Sequence, residues 1–253
     1  MQRVNGTLCL TFDNMGRARE IAEGLAATPD EREPGLAIGY PRLLALLDEL
    51  GLRGTFFIEG WNGLHHPERV EELARRGHEV GLHGWVHERF ASLERLRAEQ
   101  LLHDGTAALA RIGLRPRGFR APGGERGAHT IAALQSLGFR YDSSTAAGDA
   151  PQPALLAPGL AHIPWRSEMV DSIQYLRHPV RPRTPAELEA SWKSFIDAEN
   201  GVITIVIHAF VSGVDDERFA VVRRVLTHAR ERGMEIVTAG AVAERVLSQG
   251  RSS

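Results

Sequence analysis

The sequence predicts an α/β protein whose mainly parallel sheet curls into a barrel, as a single domain over residues 1–253. Three observations carry that prediction. Short apolar runs alternate with amphipathic stretches of helical period along the whole chain, the pattern of strands covered by helices. The length of 253 residues suits one α/β barrel, and no linker, repeat or low-complexity segment divides it. Ionisable groups also stand where the apolar runs end, at Asp13, Glu59, His83, Arg120, Asp142 and His208, and barrel chemistry sits at strand ends.

Taken in order, residues 6–13 read as a buried strand ending at Asp13, with Asn14 and Gly16 in the turn. Residues 17–27 have helical character, and a polar loop follows to Gly35. Tyr40 to Leu50 places Leu43, Leu44, Leu46, Leu47 and Leu50 on a helical period that Gly51 closes. Thr55–Ile58 is a strand ending at Glu59. Pro67 opens a helix to Arg76, and the next strand closes at Leu82. A helix or helix pair covers about residues 92–112 with Ser92 as N-cap. Residues 117–120 form a short strand before the turn at Pro122-Gly123-Gly124, 128–137 a helix, and 138–142 a strand. A loop rich in Ala, Pro and Gly runs to about residue 159, and His162–Trp165 is extended. Thr184-Pro185 starts a helix through Ile196, Pro suiting the first helical position. The β-branched run 202–207 ends at His208, and a helix (215–232), a strand (234–237) and a helix (239–248) complete the chain.

Hydrophobic content of 43% and charged content of 25% describe a globular chain with one sizeable core. A net charge of −2 predicts neither a nucleic-acid nor a membrane-surface partner. No apolar run is long enough to span a bilayer or to form a signal-peptide core, so a cytoplasmic location is expected. The lone Cys9 lies in an apolar run and reads as a buried small hydrophobe.

The most informative stretch is Gly77–Glu88, in which Gly84 interrupts a strand and His83 and His87 stand four apart. A helical turn straight after Gly84 would bring both imidazoles to one face, where they can share a divalent metal. Taken singly, Asp13 also reads as a turn residue, Arg120 as an ion-pair partner and His208 as a satisfied strand-end histidine. His65 and His66 read as loop before a helix start, and His78, His103, His129, His162, His178 and His228 as structural.

Five segments in order resemble the motifs of the polysaccharide deacetylase (NodB-homology, carbohydrate esterase family 4) family: Thr11-Phe12-Asp13-Asn14, His83-Gly84-Trp85-Val86-His87, Arg120-Ala121-Pro122-Gly123-Gly124, Tyr141-Asp142-Ser143-Ser144 and Ile205-Val206-Ile207-His208. The resemblance implies a distorted (β/α)7 barrel and hydrolysis of an amide by a metal-dependent enzyme, with zinc the expected cation. It makes Asp13 the base, Arg120 its partner, His208 the general acid, and His83, His87 and Asn14 the metal ligands. Trp165, Asp142 and Asp171 are the candidates for contact with a small-molecule substrate.

Two departures shape the expectation. Asn14 stands where the family has a ligating Asp, and Gly84 where it has Ser or Thr. A neutral amide oxygen holds a divalent cation more weakly than a carboxylate, which leaves room for Asp13 or Glu88 to be recruited. The string from Gly77 to Glu88 is similar to the branch of cyclic-amide hydrolases and allantoinase-like enzymes. The leading expectation is deacetylation of a small N-acetylated sugar-like substrate. Ring-opening of a cyclic imide or ureide, and an impaired family member that only binds a ligand, are the alternatives.

Overall fold

The structure is a computed structural model and describes residues 6–250. Nine strands form one sheet: β1 (Thr7–Asp13), β2 (Thr55–Ile58), β3 (Glu79–Leu82), β4 (Gly118–Phe119), β5 (Tyr141–Asp142), β6 (Ala154–Ala157), β7 (Leu160–His162), β8 (Val202–His208) and β9 (Glu235–Val237). Their order is β6-β7-β5-β4-β3-β2-β1-β8. All neighbours run parallel except β6 and β7, which form an antiparallel hairpin. β8 covers one edge of β1 for its full length, while β9 takes the start of the other edge and β2 its end. The helices are α1 (Ala18–Ala22), α2 (Tyr40–Glu49), α3 (Asn62–His65), α4 (Pro67–Arg75), α5 (Arg95–Arg111), α6 (Thr130–Ser136), α7 (Asp171–Leu176), α8 (Pro185–Ala198), α9 (Asp216–Glu231) and α10 (Ala239–Gln249). The predicted barrel is thus a curled sheet. The strands β7 and β8 do not pair directly, and a single parallel bridge between Val170 and Val206 stands at that side.

Period-two alternation divides the core. In β1, Leu8, Leu10 and Phe12 pack in the larger cluster with Leu43, Leu47 and Val225. Cys9 points the other way, into a smaller cluster with Phe57, Tyr141 and Ala161 that α10 covers with Ala239, Val242 and Leu247. Thr11 and Asp13 continue the Cys9 side of the strand, so the polar strand end emerges inside the curl. Cys9 is wholly buried, as expected.

Local chemistry accounts for the element ends. Thr184 and Glu187 form a capping box at α8 with Pro185 behind it. Asp215 caps α9 by accepting from the Arg218 N–H. Pro67 opens α4, where its missing N–H has no helical partner to lose.

Four expectations change. The helix expected over 17–27 stops at Ala22, and Gly24 then takes positive φ. Ser92 belongs to a 3-10 turn (Phe90–Ser92), and Glu94 precedes the long helix α5. The expected loop before residue 159 contains β6, which pairs with β7 where a loop running into an extended piece was expected. No helical turn follows Gly84, as described below. No helix among the described residues is long and apolar enough to cross a membrane.

Gly60 comes shortly after the β2 end and stands against Gly105 of α5. A Cβ there would lie 2.3 Å from the Gly105 Cα and 3.0 Å from its carbonyl oxygen. Gly60→Ala should therefore push strand and helix apart and lower stability by about 1–3 kcal/mol, the usual range for overpacking. Urea denaturation checks this, and an unchanged midpoint would show that the backbone yields freely.

Candidate active site

The inner strand ends open onto one cavity of about 600 Å³. Its lining includes Asp13, Asn14, Glu59, His83, His87, Trp165 and His208. One concave site therefore gathers residues that lie as far apart in sequence as Asp13 and His208.

Asp13 ends β1 and is met by Arg120, which follows β4. The Arg120 Nη1 donates to Asp13 Oδ1 at 2.7 Å and to Thr11 Oγ1 at 3.0 Å, while Nη2 and Nε donate to the Ser143 Oγ and carbonyl oxygen. The guanidinium also lies over the Phe57 ring at 4.3 Å. Burial works to raise the Asp13 pKa, but the Arg120 charge, with help from His83 and His208, wins and lowers it. Asp13 is thus an ionised carboxylate inside the curl. Among the described residues its Oδ2 receives no hydrogen bond, and only Oδ1 is engaged.

His208 ends β8 and is held by Asp171, the first residue of α7. The His208 Nδ1 lies 2.6 Å from Asp171 Oδ1, and Asp171 Oδ2 accepts from the His208 N–H at 2.9 Å and the Ser212 hydroxyl at 2.6 Å. Burial alone would lower the His208 pKa, yet the Asp171 carboxylate raises it above the ordinary value. With Nδ1–H committed to Asp171, the ring's other nitrogen, Nε2, carries the movable proton.

His83 and His87 come together without a helix. Gly84 and His87 both take positive φ, and Glu88 Oε2 accepts from the Trp85 and Val86 N–H groups at 2.9 and 3.1 Å. That carboxylate closes a tight turn which folds the two rings against each other, centroids 5.1 Å apart. A side chain at position 84 would meet Glu88, Pro122 and Phe90, so the turn needs glycine for both φ and space. Glu88 is occupied in holding this turn.

His83 Nδ1 lies 2.9 Å from the Arg120 carbonyl oxygen, which only accepts, so Nδ1 bears the proton and Nε2 keeps its lone pair. Burial, against a pull from Asp13, pushes the His83 pKa down to about 4, and burial with His83 nearby pushes His87 down to about 3. Both rings are neutral donors at neutral pH. Asn14 gives its Nδ2 to Glu59 Oε1 at 2.6 Å, which leaves Oδ1 as its donor atom. Among the described residues no group of three His, Cys, Asp or Glu side chains stands ready to hold a metal ion. Two neutral imidazoles and an amide oxygen fit a borderline divalent cation such as zinc, with a ligand set poorer in charge than a carboxylate would make it.

The remaining expected residues divide. Trp165 lines the cavity, its Nε1 donating to the Ser143 carbonyl at 2.9 Å, and Gly124 leaves space for its ring. Asp142 and Asp171 have no accessible surface and do not meet the cavity. Asp142 is held by Arg126 and by the Ser144 hydroxyl and N–H, and Asp171 by His208 and Ser212. Neither contacts a substrate from that position. Sequence reasoning assigned nothing to Glu59, Thr11, Ser143 or Ser212. Glu59 is visible as a charge at a strand end, Thr11 and Ser143 stand inside quoted motifs without a role of their own, and Ser212 is a hydroxyl that no pattern marks.

The family model described as polysaccharide deacetylase matches residues 3–141. A peptidoglycan deacetylase-like protein of Gibberella zeae is 35% identical over 116 residues, 45% of this chain and 34% of that protein. The peptidoglycan deacetylase of Helicobacter pylori is 29% identical over 170 residues, 65% of this chain and 58% of its own. The chain thus spans between about a third and three fifths of the length of these relatives. A solved structure described as a polysaccharide deacetylase from Mycobacterium smegmatis has a TM-score of 0.84 at 28% identity, covering 98% of this chain and 92% of that one. An allantoinase shares the fold with a TM-score of 0.79 at 19% identity, covering 95% and 90%.

The Asp171 carboxylate favours the protonated His208 ring, so Asp171→Asn should lower the His208 pKa in the folded protein. The raised folded-state value contributes stability below the unfolded histidine pKa, which is lost as pH rises through the folded pKa. The variant should lack that acid-side increment. Imidazole NMR titration reads the first effect and denaturation against pH the second. An unmoved His208 resonance would remove Asp171 from this role.

Proposed function

The chain belongs to the polysaccharide deacetylase family, and on that premise we propose that it is a metal-dependent hydrolase that removes the acetyl group from a small N-acetylated sugar-like substrate. One observation carries the reading. A single cavity presents a carboxylate held ionised by buried Arg120 and an imidazole biased towards its charged form by buried Asp171. Amide hydrolysis needs a base for the water and an acid for a poor leaving group, and these two groups are biased to opposite protonation states.

In this mechanism water adds to the amide carbonyl carbon and gives a proton to Asp13. The carbon–nitrogen bond then opens as His208 Nε2 hands its proton to the departing nitrogen. Acetic acid and free amine result, the acid gives its proton to the amine to leave acetate and an ammonium group, and the proton on Asp13 returns to His208 to regenerate both groups. Arg120 holds Asp13 in place throughout, and its carbonyl oxygen orients His83. A divalent cation held by His83, His87 and Asn14 would polarise the carbonyl and acidify the water.

A cavity of this size accommodates a molecule of a few rings, in the range of small-ligand sites. Trp165, Leu176 and Phe210 give it an apolar side that suits the carbon face of a sugar ring, and Leu25 stands exposed at the lining as well. Ring-opening of a cyclic imide or ureide uses the same base and acid. The uncharged donor at Asn14 favours this second reading, because such a site suits a carbonyl more easily attacked than an acetamide.

Assay of zinc-loaded protein on N-acetylglucosamine, its short oligomers and a cyclic imide tests the choice. Release of acetate supports deacetylation, ring-opening alone selects the second reading, and neither product sinks both. Asp13→Asn should lower kcat by about 10²-fold or more, as expected for loss of a general base. The amide is the better substitution because its oxygen can still accept from the buried Arg120, a partner that truncation would remove. Turnover near wild type in that variant would refute Asp13 as the base. His83→Ala and His87→Ala should each abolish zinc binding in elemental analysis. His65→Ala, whose ring only stacks on Trp61, should retain it.

A further inference from the structure

Glu59 takes no part in the steps above, yet it lies in the wall of the same cavity with 1% of its surface accessible. Its carboxylate accepts three hydrogen bonds: from Asn14 Nδ2 at 2.6 Å, Met15 N at 3.1 Å and Asn62 Nδ2 at 2.9 Å. All three partners are neutral N–H groups, and among the described residues no cationic side chain pairs with Glu59. A buried carboxylate with neutral donors alone lacks a countercharge.

The Asn14 backbone is fixed as well. It takes a φ of 67°, its N–H donates to the Phe57 carbonyl at 3.2 Å, and its carbonyl accepts from the Tyr40 hydroxyl. An amide facing a carboxylate must present its NH2 side, and the oxygen on the same carbon then points away from that carboxylate. Asn14, His83 and His87 share the cavity on which that oxygen can act.

We propose that Glu59 is a positioning residue for a divalent cation held by Asn14, His83 and His87. From the layer behind, its carboxyl group locks the Asn14 amide oxygen-first. The proposal rests on the metal reading above and extends it to a carboxylate with no assigned role. It also changes the expectation for position 14. A carboxylate introduced there alone would face Glu59 at hydrogen-bond distance, and the two like charges would oppose each other.

Cobalt(II) titration followed by calorimetry and by the metal's visible absorption tests this on the full chain without recourse to activity. Glu59→Gln should weaken Co²⁺ binding about 10-fold or more, as loss of an outer-layer partner does. Asn14→Asp alone should bind no tighter than wild type. Asn14→Asp combined with Glu59→Gln should bind at least as well as wild type, since the carboxylate then stands at the ligand position and the new amide can donate to it. The cycle is then strongly non-additive. Circular dichroism separates misfolding from altered binding, and if Glu59→Gln alone fails to fold, the double variant and Asn14→Asp still decide. Unchanged affinity in Glu59→Gln, or a tighter Asn14→Asp, overturns the role of Glu59 while leaving the metal site standing. Wild-type protein that takes up no more Co²⁺ than His83→Ala overturns the metal site and this proposal together.

Discussion

A guanidinium with 1% accessible surface must place its donors inside the protein or the fold carries an uncompensated charge. Arg120 meets that demand with Asp13, Thr11 and both oxygens of Ser143, and so ties the end of β1 to the segment after β5 across the interior of the curl. Thr11 in turn donates to the Ile205 carbonyl at 2.6 Å and brings β8 into the same network. The Arg120 main chain is equally engaged, its N–H on the Leu82 carbonyl and its own carbonyl on His83. One residue therefore sets the positions of three strand ends, the ionisation of Asp13 and the tautomer of His83. Breaking a buried pair of this kind by truncating one partner is worth about 3–5 kcal/mol. In this protein the arrangement around Asp13 and His83 and the integrity of the inner sheet face are the same set of bonds.

How much of this was legible in the sequence follows from the range of the interactions. Strands such as 202–208 and helices such as 40–49 are local patterns of apolar residues, and they stand where periodicity placed them. The capping pair Thr184-Pro185 is likewise a matter of neighbouring chemistry. The hairpin β6–β7 was hidden because two short strands joined by Pro158-Gly159 carry the composition of a loop. The His83–His87 turn was misread because a spacing of four is helical only if φ stays negative, and a glycine at 84 permits the alternative that Glu88 then locks. Asp171 was placed near the substrate on its position after Asp142. Its partner, His208, lies 37 residues on, and only the bridge from Val170 to Val206 reveals the pairing.

Three histidines open onto one cavity, and the protonation state of each is imposed by its surroundings. His83 leans on a carbonyl, which fixes the tautomer without adding charge, so burial prevails and the ring is neutral. The His87 ring finds no hydrogen-bond partner among the described residues, and burial beside a neighbouring imidazole depresses it further. His208 leans on a carboxylate, and the pKa rises despite equal burial. The residue type is constant, so the outer partner alone separates electron-pair donor from proton donor. Position 14 follows the same logic: the Asn14 amide gives its NH2 group to Glu59, and that hydrogen bond decides which way its oxygen faces. Function here is written less in the residues that face the cavity than in the carbonyl and carboxylates immediately behind them, and those partners sit at sequence separations that local pattern cannot reach.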